Sequence, residues 1–140
     1  MKLLLDTHAI LWWLNDDSHL GVRARDLIEN PGNDIIISVV SLWEIVVKVR
    51  VGKLQANISE VIGALEAQAF DFLPVQPVHL EKLAELPLHH RDPFDHLLLA
   101  QSIAENAIFM TDDRYAPLYP AQLVGCSDGM APSGSTRESE

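Results

Sequence analysis

The chain has 140 residues, with 20 Asp and Glu against 10 Lys and Arg, a formal net charge of −10, and is 48% hydrophobic. That balance excludes a disordered chain, suits one globular domain with a substantial core, and argues against nucleic-acid binding driven by phosphate neutralisation, which draws on Lys and Arg displacing counterions. Its one cysteine, Cys126, excludes an internal disulfide and a zinc-thiolate site, and the first apolar run breaks at Asp6, too early for a signal-peptide core, so a cytoplasmic protein without a membrane span is expected.

The first element is a strand, Leu3-Leu4-Leu5, that stops at Asp6. Thr7 to Leu14 reads as a helix with Ile10, Leu11 and Leu14 on one stripe, turning at Asn15-Asp16-Asp17-Ser18. A second helix runs from about Leu20 to Glu29 and is broken by Asn30-Pro31-Gly32. A strand follows at Ile35 to Val39. Ser41 to Val51 reads as a helix closed by Gly52, although its Val-rich middle also tolerates a strand. Asn57 to Ala69 is helical, Phe72 to Val75 a strand, His79 to Leu86 a short helix, Asp92 to Asn106 a long one, and Ile108-Phe109-Met110 a strand ending at Thr111-Asp112-Asp113. This alternation implies an α/β domain with a parallel sheet over residues 1–124. From Gly125 onward Gly, Ser, Pro and charged residues replace apolar periodicity, so 125–140 is expected to be a flexible tail.

Four acids, Asp6, Glu44, Asp95 and Asp113, stand where a strand ends or a helix begins. In a parallel sheet ligands bind beyond the carboxyl ends of the strands, and all four then fall on that edge. Helix N-termini also attract carboxylates for reasons unrelated to chemistry. Ser41-Leu42-Trp43-Glu44 matches a capping box, and Asp92-Pro93-Phe94-Asp95 matches an N-cap, a proline at N1 and an acid at N3. Taken alone, both are better read as caps than as ligands. Convergence favours the other reading, because clustered carboxylates repel one another unless a cation lies between them. Hard divalent ions prefer such oxygen ligands, and once bound they turn the cluster into a phosphate site. Only a residue inside the first turn is held by the helix frame, so Asp95 is taken as ligand and Asp92 as cap. The strand end leaves Asp112 and Asp113 as alternatives, with Thr111 either capping the turn or positioning a water.

Four blocks carry a family resemblance. Leu4-Leu5-Asp6-Thr7-His8-Ala9 with Leu11-Trp12-Trp13-Leu14 resembles the opening of a PIN domain of the VapC toxin type. Ser41-Leu42-Trp43-Glu44-Ile45 with Lys48-Val49-Arg50-Val51-Gly52-Lys53-Leu54, and His90-Arg91-Asp92-Pro93-Phe94-Asp95 running into Leu97-Leu98-Leu99-Ala100-Gln101, resemble its middle blocks. Met110-Thr111-Asp112-Asp113 is similar to its closing Thr-x-Asp. The resemblance implies a PIN-like three-layer α/β/α sandwich with a central parallel sheet of four to five strands. It also implies an endoribonuclease using Mg²⁺ or Mn²⁺, usually a homodimer, acting as the toxin of a toxin-antitoxin pair and silenced by its antitoxin. By position Asp6, Glu44 and Asp95 correspond to the three core acids and Asp113, rather than Asp112, to the fourth. His96 departs from the pattern, since the toxin group often has Arg there.

Metal held by Asp6, Asp95 and Asp113, with Glu44 bridging to a second ion or orienting water, fits phosphodiester hydrolysis. Thr7 is read as a ligand-sphere support or a helix cap, and His8 as a packed or capping residue. Trp12, Trp13 and Trp43 are read as base-stacking candidates or as core and interface residues. Lys48, Arg50 and Lys53 read equally as a substrate track and as a solvated helix face. Two other readings compete: a receiver-like phosphorylation switch, which needs paired acids after its first strand and a Lys after the last, and a catalytically inactive PIN fold that only binds a partner.

Overall fold

The computed structural model describes residues 1–89 and 92–128. In chain order the elements are β1 (Lys2–Leu5), α1 (Thr7–Leu14), α2 (Val22–Glu29), β2 (Asp34–Ser38), α3 (Val39–Arg50), α4 (Ile58–Ala67), β3 (Asp71–Leu73), α5 (Pro77–Glu85), α6 (Pro93–Ala104), β4 (Ile108–Met110) and β5 (Leu123–Val124), with a 3-10 turn at Ala116–Leu118. The strands form one parallel sheet in the order β3-β2-β1-β4-β5. Strand order reverses at β1, whose neighbours are β2 and β4, and this is the switch point where a doubly wound sheet opens a crevice. A receiver has the order 2-1-3-4-5, so the sheet itself argues against the phosphorylation-switch reading.

Apolar runs become strands here because both sheet faces are covered and side chains alternate between them. Leu3, Leu5, Ile35, Ile37 and Met110 pack into one core with Ile10, Ile28, Val61 and Leu65 from α1, α2 and α4. Leu4, Ile36 and Phe109 face the other way, onto Leu98 and Leu99 of α6. Helix α3 contributes Ile45 to the first core and Val40 to the second. The result is the expected three-layer α/β/α sandwich, with five strands.

A buried polar chain joins the second layer to the sheet. The Ser38 hydroxyl donates to Gln101 Oε1, the Gln101 amide donates to Pro74 O at 3.3 Å and lies 3.3 Å from His79 Nδ1, and His79 Nε2 lies 2.8 Å from Glu105 Oε2. His79 Nδ1 accepts from the Gln76 amide at 3.0 Å, so the ring's proton sits on Nε2 and is donated to Glu105.

The packed chain extends beyond the predicted domain end at 124. Cys126 is buried among the first core, its carbonyl accepts from Gly21 N at 2.8 Å, and Asp128 accepts from the Val22 amide at 2.8 Å, capping α2. Gly21 is required there, since a Cβ would stand 2.3 Å from the Asp128 carboxylate. Residues 125–128 are therefore part of the folded unit; 129–140, the rest of the expected tail, lie outside the described residues.

Candidate active site

Asp6 lies one residue past β1, with its amide donating to Met110 O at 3.0 Å. It is also the N-cap of α1, where its Oδ1 accepts from Ala9 N at 2.7 Å, so the cap expected of Thr7 belongs to Asp6. Thr111, one residue past β4, lies near enough to the Asp6 carboxylate to favour its charged form, and its Oγ1 accepts from Asp113 N at 3.0 Å. Asp113 Oδ1 accepts in turn from Tyr115 N at 3.1 Å, an Asx turn that fixes its backbone.

Glu44 reaches the same edge by a route the sequence reading did not foresee. The N-cap of α3 is Ser38, whose side chain accepts from Val40 N at 3.0 Å, so the helix springs directly off β2 and the capping box at Ser41 is not formed. Glu44 consequently lies inside the helix, only 3% exposed. Its Oε1 accepts from Thr7 Oγ1 at 2.6 Å, and Thr7 Oγ1 lies 3.1 Å from Ser41 Oγ. Its Oε2 pairs with Lys48 Nζ at 3.0 Å, one helical turn on.

The start of α6 follows expectation. Asp92 is the N-cap, accepting from Phe94 N at 2.9 Å, with Pro93 at N1 and Asp95 in the first turn. His90 and Arg91, which precede it in the motif, lie outside the described residues. Asp6, Asp95, Asp112 and Asp113 line one cleft of about 310 Å³ together with His8 and Trp12. Asp112 is tied to its rim, accepting from Cys126 N at 2.6 Å and from Ser127 N at 3.3 Å.

Electrostatics mark this cleft as short of positive charge. Burial, then the charges of Asp92, Asp113, Glu44 and Asp6, push the Asp95 carboxyl up to about 8. Burial pushes Asp6 up to about 6, against the hydrogen bonds of Thr111 and the Ala9 amide. The donors are oxygens and their charges repel, a set that fits a hard divalent cation. As the side chains are placed, no three His, Cys, Asp or Glu groups among the described residues are gathered tightly enough to hold one ion. The chemistry of the donors fits a hard cation.

Several expectations change with the structure. His8 is exposed, lines the cleft with its ring beside Trp12, and does not cap α1, whose cap is Asp6. Cys126, read as part of a loose end, is buried, and burial drives its thiol well up. Lys48 is Glu44's partner, a role its i,i+4 spacing could have suggested; Arg50 and Lys53 are exposed. Arg114 lies against the Tyr115 ring and donates to its hydroxyl at 2.9 Å. His96, at the position where the resemblance often has Arg, is buried with Nε2 2.6 Å from the Tyr119 hydroxyl.

Among the described residues no helix is long and apolar enough to cross a membrane. No curated protein sequence matches the chain. Solved structures share its fold. VapBC2 from Rickettsia felis, bound to a DNA fragment from its promoter, aligns with a TM-score of 0.70 at 20% identity, over 89% of this chain and 98% of that one. DNA-bound VapBC from Salmonella typhimurium aligns with a TM-score of 0.64 at 15% identity over the same shares. VapBC-5 from Mycobacterium tuberculosis, a member of the VapBC family of toxin-antitoxin systems, aligns with a TM-score of 0.56 at 22% identity, over 90% of this chain and 98% of that one. The PIN domain family model matches residues 3–119, nearly the whole packed unit and every acid described above, and the chain belongs to the PIN domain family.

Proposed function

We propose that the protein is a divalent-metal-dependent endoribonuclease, the toxin of a toxin-antitoxin pair, working in the cytoplasm as a homodimer. The observation that supports this reading is that Asp6, Asp95 and Asp113 line one cleft at the switch-point edge of a PIN-family sheet, with Glu44 near enough for its charge to act on Asp95. Asp6, Asp95 and Asp113 are assigned as ligands of Mg²⁺ or Mn²⁺, with Glu44 as a fourth carboxylate beside them. Held there, such an ion would supply positive charge toward a phosphodiester and a water of lowered pKa. Thr7 and Lys48 hold the two oxygens of Glu44 in place, the Ala9 amide orients Asp6, and the Asp92 cap fixes the turn that presents Asp95. The likeness to VapBC structures supports an antitoxin partner. An Arg presented by that partner would pair with the carboxylates and occupy the place of the metal.

Purified protein should cut total RNA into discrete fragments in Mg²⁺ or Mn²⁺, with no cutting in EDTA. Asp6→Asn and Asp95→Asn should fold and lose this activity. Cleavage indifferent to EDTA and to both substitutions would defeat the assignment, and a folded, inert wild type free of any bound partner would favour the partner-binding reading.

A further inference from the structure

One wall of the acid cleft is built from rings. His8 and Trp12 are four apart on α1 and therefore share a face, with ring centroids 5.5 Å apart. His19, from the turn after that helix, stacks on Trp12 at 5.3 Å with 18° between planes. The turn fixes this third ring: Asp17 Oδ1 accepts from His19 N at 2.9 Å and lies 2.7 Å from its Nδ1. His8 and His19 are exposed, Trp12 is half-buried, and His8 and Trp12 line the same cleft as Asp6, Asp95 and Asp113. Trp12, like Trp13, packs one side against the first core, but unlike Trp13 it also lines the cleft.

We propose that the His8–Trp12–His19 ladder is a stacking wall that holds an unpaired nucleobase of the RNA strand beside the carboxylates. This rests on the nuclease reading and specifies its substrate as single-stranded RNA with a splayed base. The charge of the molecule favours it. A chain of net charge −10 has little to offer phosphates directly, whereas stacking on aromatic rings is indifferent to backbone charge and is the usual means of gripping unpaired bases. Rings already ordered against one another lose little freedom when a base joins them.

The test is steady-state cleavage of a single-stranded oligoribonucleotide in Mn²⁺ by wild type, Trp12→Leu, Trp12→Phe, His19→Leu and Leu80→Ala, with thermal unfolding of each. Trp12→Leu should raise KM about tenfold, as expected for one lost stacking contact, with a smaller change in kcat. Trp12→Phe should restore most of the loss, His19→Leu should raise KM severalfold, and Leu80→Ala, an exposed position on α5 outside the cleft lining, should leave KM unchanged. A folded Trp12→Leu with wild-type KM overturns the stacking wall while leaving the nuclease standing. Should Trp12→Leu not fold, an unchanged KM in His19→Leu overturns it equally. Absence of cleavage by wild type in both Mg²⁺ and Mn²⁺ refutes the nuclease reading and the wall with it.

Discussion

At the scale of single residues, the four acids stand out in the sequence because each sits at a punctuation mark between an apolar run and a helix; their surroundings were not legible there. Glu44 looked like half of a capping box, and only the direct passage from β2 into α3 through Ser38 moves it inside the helix, beside Thr7 and Lys48. Sequence distance hides the Thr7 contact, since 37 residues separate the partners. Thr7→Val keeps the shape and removes that hydrogen bond; a bond to a charged group is worth about 1.5–3 kcal/mol. It should cost one to two orders of magnitude in cleavage with the fold intact by circular dichroism. The carboxylates also make stability depend on pH in an uncommon direction. Asp95 and Asp6 bind protons more tightly in the folded protein, at about 8 and about 6, than the unfolded chain does near 3.8. Above 3.8 the unfolded state therefore holds fewer protons, and stability falls as pH rises, until Asp95 is ionised in both states. In EDTA the melting temperature should drop between pH 6 and pH 8.5. Mn²⁺ should flatten the drop, and Asp95→Asn should remove both the drop and the response to Mn²⁺. A metal-free melting temperature that rises over this interval would refute the account.

At the scale of elements, segments bounded by turn residues were readable down to the three-residue strand β4, and the two-residue β5 was not. The two-residue strand β5 has no periodicity to detect and exists because Phe109 and Met110 offer it an edge to pair with. Residues 126–128 have a composition that reads as linker, yet they are fastened by Asp112 and by the exposed amides of α2, partners that no local pattern reveals. The start of α6 was readable because Asp-Pro-x-Asp encodes its own geometry. Asp92→Ala should therefore destabilise by about 1 kcal/mol through loss of the cap. Gln101→Leu should destabilise by more, about 1–3 kcal/mol, because it leaves the buried Ser38 hydroxyl without its acceptor where water cannot replace it. Chemical denaturation of both variants checks the order. Equal losses would mean that the chain from Ser38 to Glu105 adds nothing beyond packing. Since that chain ties the first turn of α3 to α6, Gln101→Leu should also lower cleavage more than Asp92→Ala does.

For the molecule as a whole, the class of fold followed from alternation, whereas strand order and the switch point came only with tertiary pairing of β1 with both β2 and β4. Charge is the property that acts at this scale. Of the 10 Lys and Arg, Lys2, Arg25, Lys48 and Lys82 are held in ion pairs with Glu105, Asp16, Glu44 and Glu85. A chain with half as many Lys and Arg as Asp and Glu can neutralise few phosphates, and each one neutralised on a single strand contributes about −0.7 to the slope of log affinity against log salt. Single-stranded RNA should bind with a slope shallower than about −2, corresponding to three phosphates or fewer. Anisotropy titrations of a cleavage-resistant oligonucleotide across a salt series, with divalent ion held constant, measure it. A slope near −5 would mean that basic side chains gather at the site in a way the folded monomer does not present, as happens when a second protomer completes the binding surface. A shallow slope together with strong dependence on Mn²⁺ would place the attraction for phosphate in the metal held by the acids, and recognition in contacts to the bases.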